Sequence, residues 1–381
     1  MNIYFLLLAY LSLFALGLSD NIRGPLYPEI LEDLKLNNAL GSLFFAAASL
    51  CGLIGSYLSR FSLRSFNPLV LLRLCLLSMG LSMFVSGFSQ NFFSLIFCQV
   101  IFGGSLGAMG VVQNLLAKEG SPVEKRSQIL AGLHSMYGLA SLLAPLLVSL
   151  VYYCGGSWRS TFMVGSSLPL AILIGTFFGF STYREHPQLQ NKRDGKSLIA
   201  HRQQIFAAIA LGFYVVSEIV IGSRLVLYLR KDFEFSLAAA NERLTLYFVF
   251  IFAGRLFFTW KKLPFSLSGQ VKFLMLTTGL FFLLGLWVEP LFLSLCGLTM
   301  AGVYPLTVSY FSHLFSKSME SLLSYCFTFS SGFVVVMHFS IGYLTETYGI
   351  HSALHLGVLS LFLAILLFWF FEFRMRTFRE A

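Results

Sequence analysis

The fold is decided by two long apolar runs and by the polar stretch that separates them near the middle of the chain. Residues 160–181 read STFMVGSSLPLAILIGTFFGFS, residues 182–203 read TYREHPQLQNKRDGKSLIAHRQ, and residues 204–230 read QIFAAIALGFYVVSEIVIGSRLVLYLR. A membrane-spanning helix needs about 20 mostly apolar residues, so each run is long enough to cross a bilayer once. The basic stretch between them is expected to be a cytoplasmic linker.

The same alternation of apolar runs and short polar gaps extends over the whole chain and predicts the fold class. We expect an all-α integral membrane protein with twelve transmembrane helices in two pseudo-symmetric six-helix bundles. Residues 1–181 would form the N-terminal bundle, residues 182–203 the linker and residues 204–381 the C-terminal bundle. The apolar runs place the spans roughly at 3–29, 38–59, 67–88, 92–117, 127–154, 160–181, 204–230, 237–260, 271–288, 290–314, 319–344 and 352–373.

Composition and charge exclude several classes of protein. The 381 residues are 57% hydrophobic and only 11% charged, whereas a soluble domain is about 25% charged. An ordinary soluble enzyme, a disordered chain and a nucleic-acid-binding protein are therefore excluded. If the N-terminus is cytoplasmic, 19 of the 26 lysines and arginines fall on the cytoplasmic side. The remaining seven are Arg23, Lys35, Arg159, Arg224, Arg230, Lys231 and Arg243.

This distribution of basic residues predicts where the protein resides and what it contacts. We expect a multi-pass protein of the inner (plasma) membrane with both termini in the cytoplasm. Its expected partners are a small-molecule substrate and the lipid bilayer, and we expect a monomer that binds no nucleic acid. No P-loop, HExxH or EF-hand pattern is present, so we expect no catalytic residue and no metal ligand.

Two acidic residues stand at corresponding places in the first helix of each half. Ser19-Asp20-x-x-x-Gly24 lies in the first span and Ser217-Glu218-x-x-x-Gly222 in the seventh. A charge inside a bilayer costs at least about 2.5–3.5 kcal/mol, which makes such residues functional candidates. Glu218 has no charged neighbour within one helical turn and is predicted to couple proton binding to transport, with Asp20 as the second coupling residue. The alternatives are a hydrogen-bonded structural glutamate and a local ion pair between Asp20 and Arg23.

A further set of polar side chains within the apolar runs is predicted to bind substrate. Arg224 carries a guanidinium group, which binds carboxylate or phosphate in bidentate fashion, although it could instead form an interhelical ion pair with Asp20. His134 and Tyr137 share one polar stripe of the fifth span with Ser141, although His134 could be a core histidine. His338 in the eleventh span is a further candidate. The predicted substrate-binding residues are Asn21, Arg23, His134, Tyr137, Tyr214, Arg224 and Tyr304.

Several short motifs resemble the major facilitator superfamily. The stretch from Gly55 through Arg60 to Arg64 resembles the G-x-L-x-D-R-x-G-R-R loop of that family, and the resemblance implies a gating loop that contains both arginines. Residues 158–162 (WRSTF) resemble the W-R-x-x-F opening of the sixth helix. Residues 341–349 (IGYLTETYG) resemble I-G-x-L-x-D-x-x-G at the end of the eleventh helix.

Other motifs point to one branch of this superfamily. Residues 133–138 (LHSMYG), 218–223 (EIVIGS) and 19–25 (SDNIRGP) are similar to the sugar/proton symporter-like branch, the relatives of fucose permease. The resemblance implies a secondary active transporter of a small polar or anionic solute that works by alternating access. Such a protein is not an enzyme and uses a proton or cation gradient rather than a cofactor. The alternative is an exporter, or antiporter, of amphipathic or drug-like compounds.

Overall fold

The computed structural model describes residues 2–178, 198–260, 264–315 and 318–380. In these ranges the chain forms twelve α-helices and one short 3-10 turn at Val123–Lys125. The helices are α1 (Ile3–Asn21), α2 (Arg23–Asp33), α3 (Asn38–Ser65), α4 (Pro68–Ser86), α5 (Phe92–Gly120), α6 (Arg126–Tyr153), α7 (Trp158–Gly175), α8 (Leu198–Asp232), α9 (Leu237–Trp260), α10 (Leu267–Trp287), α11 (Leu291–Leu314) and α12 (Met319–Glu380).

Asparagine residues in the polar gaps define where several of these helices begin. The side chains of Asn2, Asn37, Asn67 and Asn91 accept hydrogen bonds from backbone N–H groups in the first turns of α1, α3, α4 and α5. Asparagine is a preferred residue at this position because its side-chain oxygen satisfies an N–H group that has no partner within the helix. The gaps between apolar runs therefore contain the signals that start the next helix.

The boundaries of three predicted spans differ in the structure at a proline or a glycine. The first span is divided into α1 and α2, and Pro25, which has no N–H group, leaves the Asn21 carbonyl without its usual helical donor. The eleventh and twelfth spans are joined in α12, which is broken at Gly349 with φ 82° and ψ 161°. That φ value lies in the left-handed region, which glycine adopts without the penalty that a side chain imposes.

The helices account for the predicted membrane fold. Ten segments of the described chain are long and apolar enough to cross a membrane, by their length and composition. One of them, Ser321–Arg374, has 54 residues and is long enough for two crossings on either side of Gly349. Together with α7, the segments are consistent with the twelve predicted spans, and the all-α membrane fold is confirmed.

Two sequence-based boundaries differ from the structure. Residues 182–197 of the predicted linker lie outside the described residues. Residues 198–203 belong to α8, because no glycine or proline occurs between Leu198 and Gly212. The segment with Arg60 and Arg64, which was predicted to be a gating loop, is helical in the structure. Arg60 and Arg64 lie in the last turns of α3, which continues to Ser65 because no glycine or proline occurs between Gly55 and Pro68.

The helices before and after the linker meet along three contacts. We refer to residues 2–178 as the N-terminal half and to residues 198–380 as the C-terminal half. Contacts between these halves join α2 to α8, α3 to α12 and α6 to α9. Helices α2 and α8 cross closely at Gly24, where an added Cβ atom would lie 3.0 Å from the carbonyl oxygen of Gly222.

Polar contacts between the halves concentrate at one end of this interface, which we call the Asn38 end. The Arg230 guanidinium lies 2.8 Å from Glu29 Oε1, and Lys231 Nζ donates to Asn38 Oδ1 at 3.0 Å. The backbone N–H and the side-chain amide of Asn38 both donate to Glu346 Oε2, at 2.7 and 2.8 Å. The two halves are therefore closed on each other at the Asn38 end.

Candidate functional site

A cavity of about 210 Å³ lies between the two halves and is lined by residues of both. The N-terminal half contributes Asp20 and Arg23, and the C-terminal half contributes Glu218, Arg255 and His338. A cavity that contains two acids, two arginines and a histidine within an apolar helical bundle is costly to build, because charges are disfavoured in the membrane interior. This cavity is therefore the candidate functional site.

The Asp20 carboxylate is fully engaged by neighbouring side chains. One oxygen, Oδ1, is in ion-pair contact with the Arg23 guanidinium, which also donates through Nε to the Asp20 backbone carbonyl at 3.2 Å. The other oxygen, Oδ2, accepts a hydrogen bond from the Tyr137 hydroxyl at 2.7 Å. Both oxygens thus have a donor, and the negative charge of Asp20 is compensated within the N-terminal half.

Arg23 is itself enclosed on the side away from Asp20. It is 6% exposed, and its Nη1 donates to Gln99 Oε1 at 3.4 Å. Its guanidinium carbon lies 4.9 Å from the ring centre of Phe102 and 5.4 Å from that of Phe45, within the range of cation–π interactions. The positive charge of Arg23 is therefore already paired with an anion, a carbonyl-type acceptor and aromatic faces.

The Glu218 carboxylate has a different set of partners. The Tyr214 hydroxyl donates to Glu218 Oε2 at 2.9 Å, and the same hydroxyl lies 2.8 Å from the carbonyl oxygen of Met300. A phenol has one proton, so it can donate to only one of these two acceptors at a time. An ion-pair contact joins Glu218 Oε1 to Arg255 Nη2 at 4.0 Å. Glu218 is thus less tightly paired than Asp20.

A sequence profile assigns the chain to a family. The profile described as Major Facilitator Superfamily matches residues 9–323. This chain belongs to the Major Facilitator Superfamily. It is accordingly a multi-pass membrane transporter rather than an enzyme, and the family predicted from the sequence motifs is confirmed.

Individual relatives of this superfamily member are distant. The multidrug efflux pump SdrM of Staphylococcus aureus (strain N315) is 26% identical over 192 residues, which are 49% of this chain and 42% of the pump. The chain spans less than half the length of the curated relatives it matches.

Solved structures share the superfamily fold over nearly the whole chain. A bacterial homolog to the human lysosomal transporter Spinster, in an inward-facing and occupied conformation, superposes with a TM-score of 0.74 at 12% identity and covers 97% of this chain and 96% of its own. The transporter FucP, in the outward conformation, superposes with a TM-score of 0.62 at 16% identity and covers 96% of this chain and 98% of its own.

The structure brings some of the predicted site residues to the cavity and leaves others outside it. Asn21 and Tyr137 line the cavity, and the Asn21 amide donates to the Gly17 carbonyl at 2.8 Å. Tyr214 is fully buried behind Glu218. His134 and Tyr304 are exposed and lie outside the cavity lining.

Arg224 and the two predicted gating arginines also lie away from the cavity lining. Arg224 points away from Glu218, as expected for residues six positions apart on a helix with 100° per residue. Arg60 reaches across the interface, where its Nη2 donates to Ser324 Oγ at 3.4 Å. Arg64 instead packs over the Phe61 ring of its own helix at 5.1 Å.

Sequence reasoning underestimated Arg255 and did not single out Phe45. Arg255 is not among the predicted site residues, but it lines the cavity beside Glu218. Its position inside an apolar run was a usable signal, the same one that identified Glu218. Phe45 lines the cavity and stacks on His338 with ring centres 5.1 Å apart, and no local motif indicates that contact.

Proposed function

We propose that this transporter couples proton binding at Glu218 to the movement of a small polar or anionic solute by alternating access. The observation that carries the proposal is the position of the Tyr214 hydroxyl between Glu218 Oε2 and the Met300 carbonyl. When Glu218 is ionised, Tyr214 donates to it. When Glu218 is protonated, its own O–H group can donate to the Tyr214 oxygen while Tyr214 donates to Met300, so the Glu218 carboxyl group has a hydrogen-bond partner in both states.

Asp20 has a supporting role in this proposal. Its two oxygens are held by Arg23 and Tyr137, and removing its charge would leave Arg23 without a counter-ion in the membrane. We therefore assign Glu218 as the principal proton-carrying group. The Asp20 carboxyl group lines the cavity, where it can accept a hydrogen bond from a substrate hydroxyl.

The contacts at the Asn38 end define which side of the site is closed. If both termini are cytoplasmic, as the distribution of basic residues predicts, the Asn38 end faces outward. The cavity is then sealed from the outside, and the structure corresponds to an inward-facing state. Transport requires the ion pair between Arg230 and Glu29 and the bonds between Asn38 and Glu346 to break as the halves rock apart at this end.

The size of the cavity favours a small solute. Pockets for drug-sized ligands usually measure roughly 300–1,000 Å³, and this cavity measures about 210 Å³. The alternative function, export of an amphipathic compound, is favoured by the 26% identity to the efflux pump SdrM and by Phe45 and Phe248 in the lining. An efflux assay with ethidium in cells that express the protein would support that alternative if it lowered ethidium retention.

The proposal is tested with purified protein in liposomes that contain the pH indicator pyranine. D-Galactose, D-glucuronate, L-lactate and L-serine are added outside in turn. We expect at least one of these solutes to acidify the lumen when wild-type protein is present, and Glu218→Gln to abolish that signal while unlabelled solute still exchanges with labelled solute. Glu242→Gln, an exposed acid at the start of α9, is the matched control and should behave as wild type.

Two results would count against the proposal. If none of the four solutes moved protons through the wild-type protein, the proposed symport would be rejected. If Glu218→Gln retained solute-driven acidification at the wild-type rate, Glu218 would not carry the proton. Alkalinisation instead of acidification would indicate antiport and favour the exporter.

A further inference from the structure

We propose that Arg224, together with His338 and Ser42, binds a carboxylate group of the transported solute. This inference rests on the proposed function and narrows its substrate class from polar or anionic solutes to organic acids. It is argued from a difference in counter-ions between Arg23 and Arg224. Arg23 is neutralised by Asp20, whereas Arg224 has no comparable anion.

The charge of Arg224 is buried and uncompensated. The residue is 1% exposed, and none of the ion pairs in the described part of the chain includes it. Its Nη2 donates to Ser42 Oγ at 3.2 Å and lies 3.5 Å from His338 Nδ1. Its Nη1 is enclosed and has no hydrogen-bond partner. An arginine in this state retains a donor that the protein itself does not satisfy.

Aromatic rings offset only part of the cost of this cation. The Arg224 guanidinium carbon lies 4.5 Å from the ring centres of both Tyr27 and Phe45. Such contacts offset part of the cost of the charge, but an aromatic face gives the unpaired Nη1 donor no hydrogen-bond partner. A carboxylate would accept from Nη1 and Nη2 together, because the planar guanidinium matches its two oxygens. The ligand that completes this site is therefore an anion with that geometry.

The position of Arg224 between the halves explains how such an anion would reach it. Tyr27, Ser42 and Phe45 belong to the N-terminal half, whereas His338 belongs to the same half as Arg224 and lines the cavity. Separation of the halves at the Asn38 end removes the three contacts from the N-terminal half and opens Arg224 and His338 to the widened cavity. On closure, the hydroxyls of Ser42 and Tyr27, which lie 3.4 Å apart, return to the place where they can donate to the bound carboxylate.

The test uses pairs of solutes that differ in one carboxylate. Binding of sodium D-galacturonate and D-galactose, of sodium D-glucuronate and D-glucose, and of sodium L-lactate and propane-1,2-diol is measured calorimetrically on the purified protein in detergent. Sodium chloride balances the ionic strength. We expect at least one acid to bind about tenfold or more tightly than its neutral partner, since a hydrogen bond to a charged group contributes about 1.5–3 kcal/mol.

Variants then assign that preference to Arg224. Arg224→Gln should weaken binding of the preferred acid by roughly 30-fold and leave its neutral partner within about twofold. Arg224→Lys keeps the charge but not the paired donors and should weaken the acid by roughly fivefold. The matched control is Arg159→Gln, because Arg159 pairs with Asp33 at 2.6 Å, away from the cavity, and should bind as wild type.

Several outcomes would overturn this inference. A carboxylate site would be excluded if the neutral partners bound as tightly as the acids or if the acids did not bind at all. It would also be excluded if chloride alone bound as tightly as the acids. Wild-type affinity for the acid in both Arg224 variants would exclude Arg224. If a neutral solute still drives proton movement in liposomes, the proposed transport function survives the loss of this inference. If no solute does, the proposed function itself fails.

Discussion

Asp20 and Glu218 occupy corresponding positions in the two halves but have different electrostatic surroundings. Each acid follows a serine and precedes a glycine by four residues in the first helix of its half. Asp20 is in contact with Arg23 and accepts from Tyr137. Glu218 accepts from a phenol that has a second acceptor, and its cation, Arg255, stands at 4.0 Å. The same motif therefore yields a tightly paired acid in one half and a less tightly paired acid in the other.

This difference teaches that the motif alone does not set the role of the acid. Arg23 lies three residues from Asp20, so the ion pair forms within one stretch of chain. Arg255 comes from a separate helix, so its distance from Glu218 depends on how α8 and α9 pack. A coupling group whose cation belongs to another helix can respond to helix movement, which a local pair does not allow.

The largest expected effect separates the two arginines by their contribution to stability. Arg23→Met should lower the free energy of unfolding by roughly 3 kcal/mol, as expected when one partner of a buried ion pair is removed. Arg255→Met should lower it by less than about 1 kcal/mol, because a partly exposed pair at longer distance contributes little. Unfolding in mixed detergent micelles, followed by circular dichroism, measures both. Equal losses would remove the distinction between the two sites.

The smallest expected effect concerns the helix crossing just beyond the two acids. In Gly24→Ala the added Cβ atom would meet the Gly222 carbonyl oxygen at 3.0 Å, whereas in Gly222→Ala its nearest contact is Phe248 at 3.8 Å. Gly24→Ala should therefore disfavour closure at the Asn38 end by roughly 1 kcal/mol, about a fivefold shift in population. Gly222→Ala should cause little change.

Spin-label distances between Leu40→Cys and Tyr348→Cys report this shift. Both side chains are exposed and lie on opposite halves at the Asn38 end, and Cys51 and Cys154 are replaced by serine to avoid unwanted labelling. The long-distance population should increase in Gly24→Ala only. An identical distribution in both glycine variants would mean that the crossing does not control closure.

Much of the fold could be predicted from local sequence. The apolar runs predicted the spans because a helix in lipid must satisfy its own backbone and present apolar side chains over about 20 residues. The neighbouring placement of Asp20 and Arg23 was also predictable, since residues three apart share a helix face. The two spans on either side of Gly349 were also predicted. Their joining into one long helix, α12, that is broken at Gly349 was not predicted.

The candidate site was only partly predictable. Five of the predicted residues line the cavity as expected, because an ionisable or polar side chain within an apolar run must face the protein interior. They are Asp20, Asn21, Arg23, Tyr137 and Glu218. His134 and Tyr304 satisfied the same pattern and yet lie outside the lining. The pattern identifies a polar face of a helix, but it does not specify which neighbour that face meets.

The amino-acid sequence by itself determined that this chain is a membrane-embedded helical protein of a transporter family and that Asp20 and Glu218 stand at matching positions in the motif. Those features depend on hydropathy and on spacing along a single helix. The tertiary structure alone decided that Tyr137 donates to Asp20, that Arg255 approaches Glu218, and that Arg224 is buried between the halves without an anion. These pairings join helices far apart in the chain, so they depend on the rotation and tilt of each helix against its neighbours, which packing of the whole bundle sets.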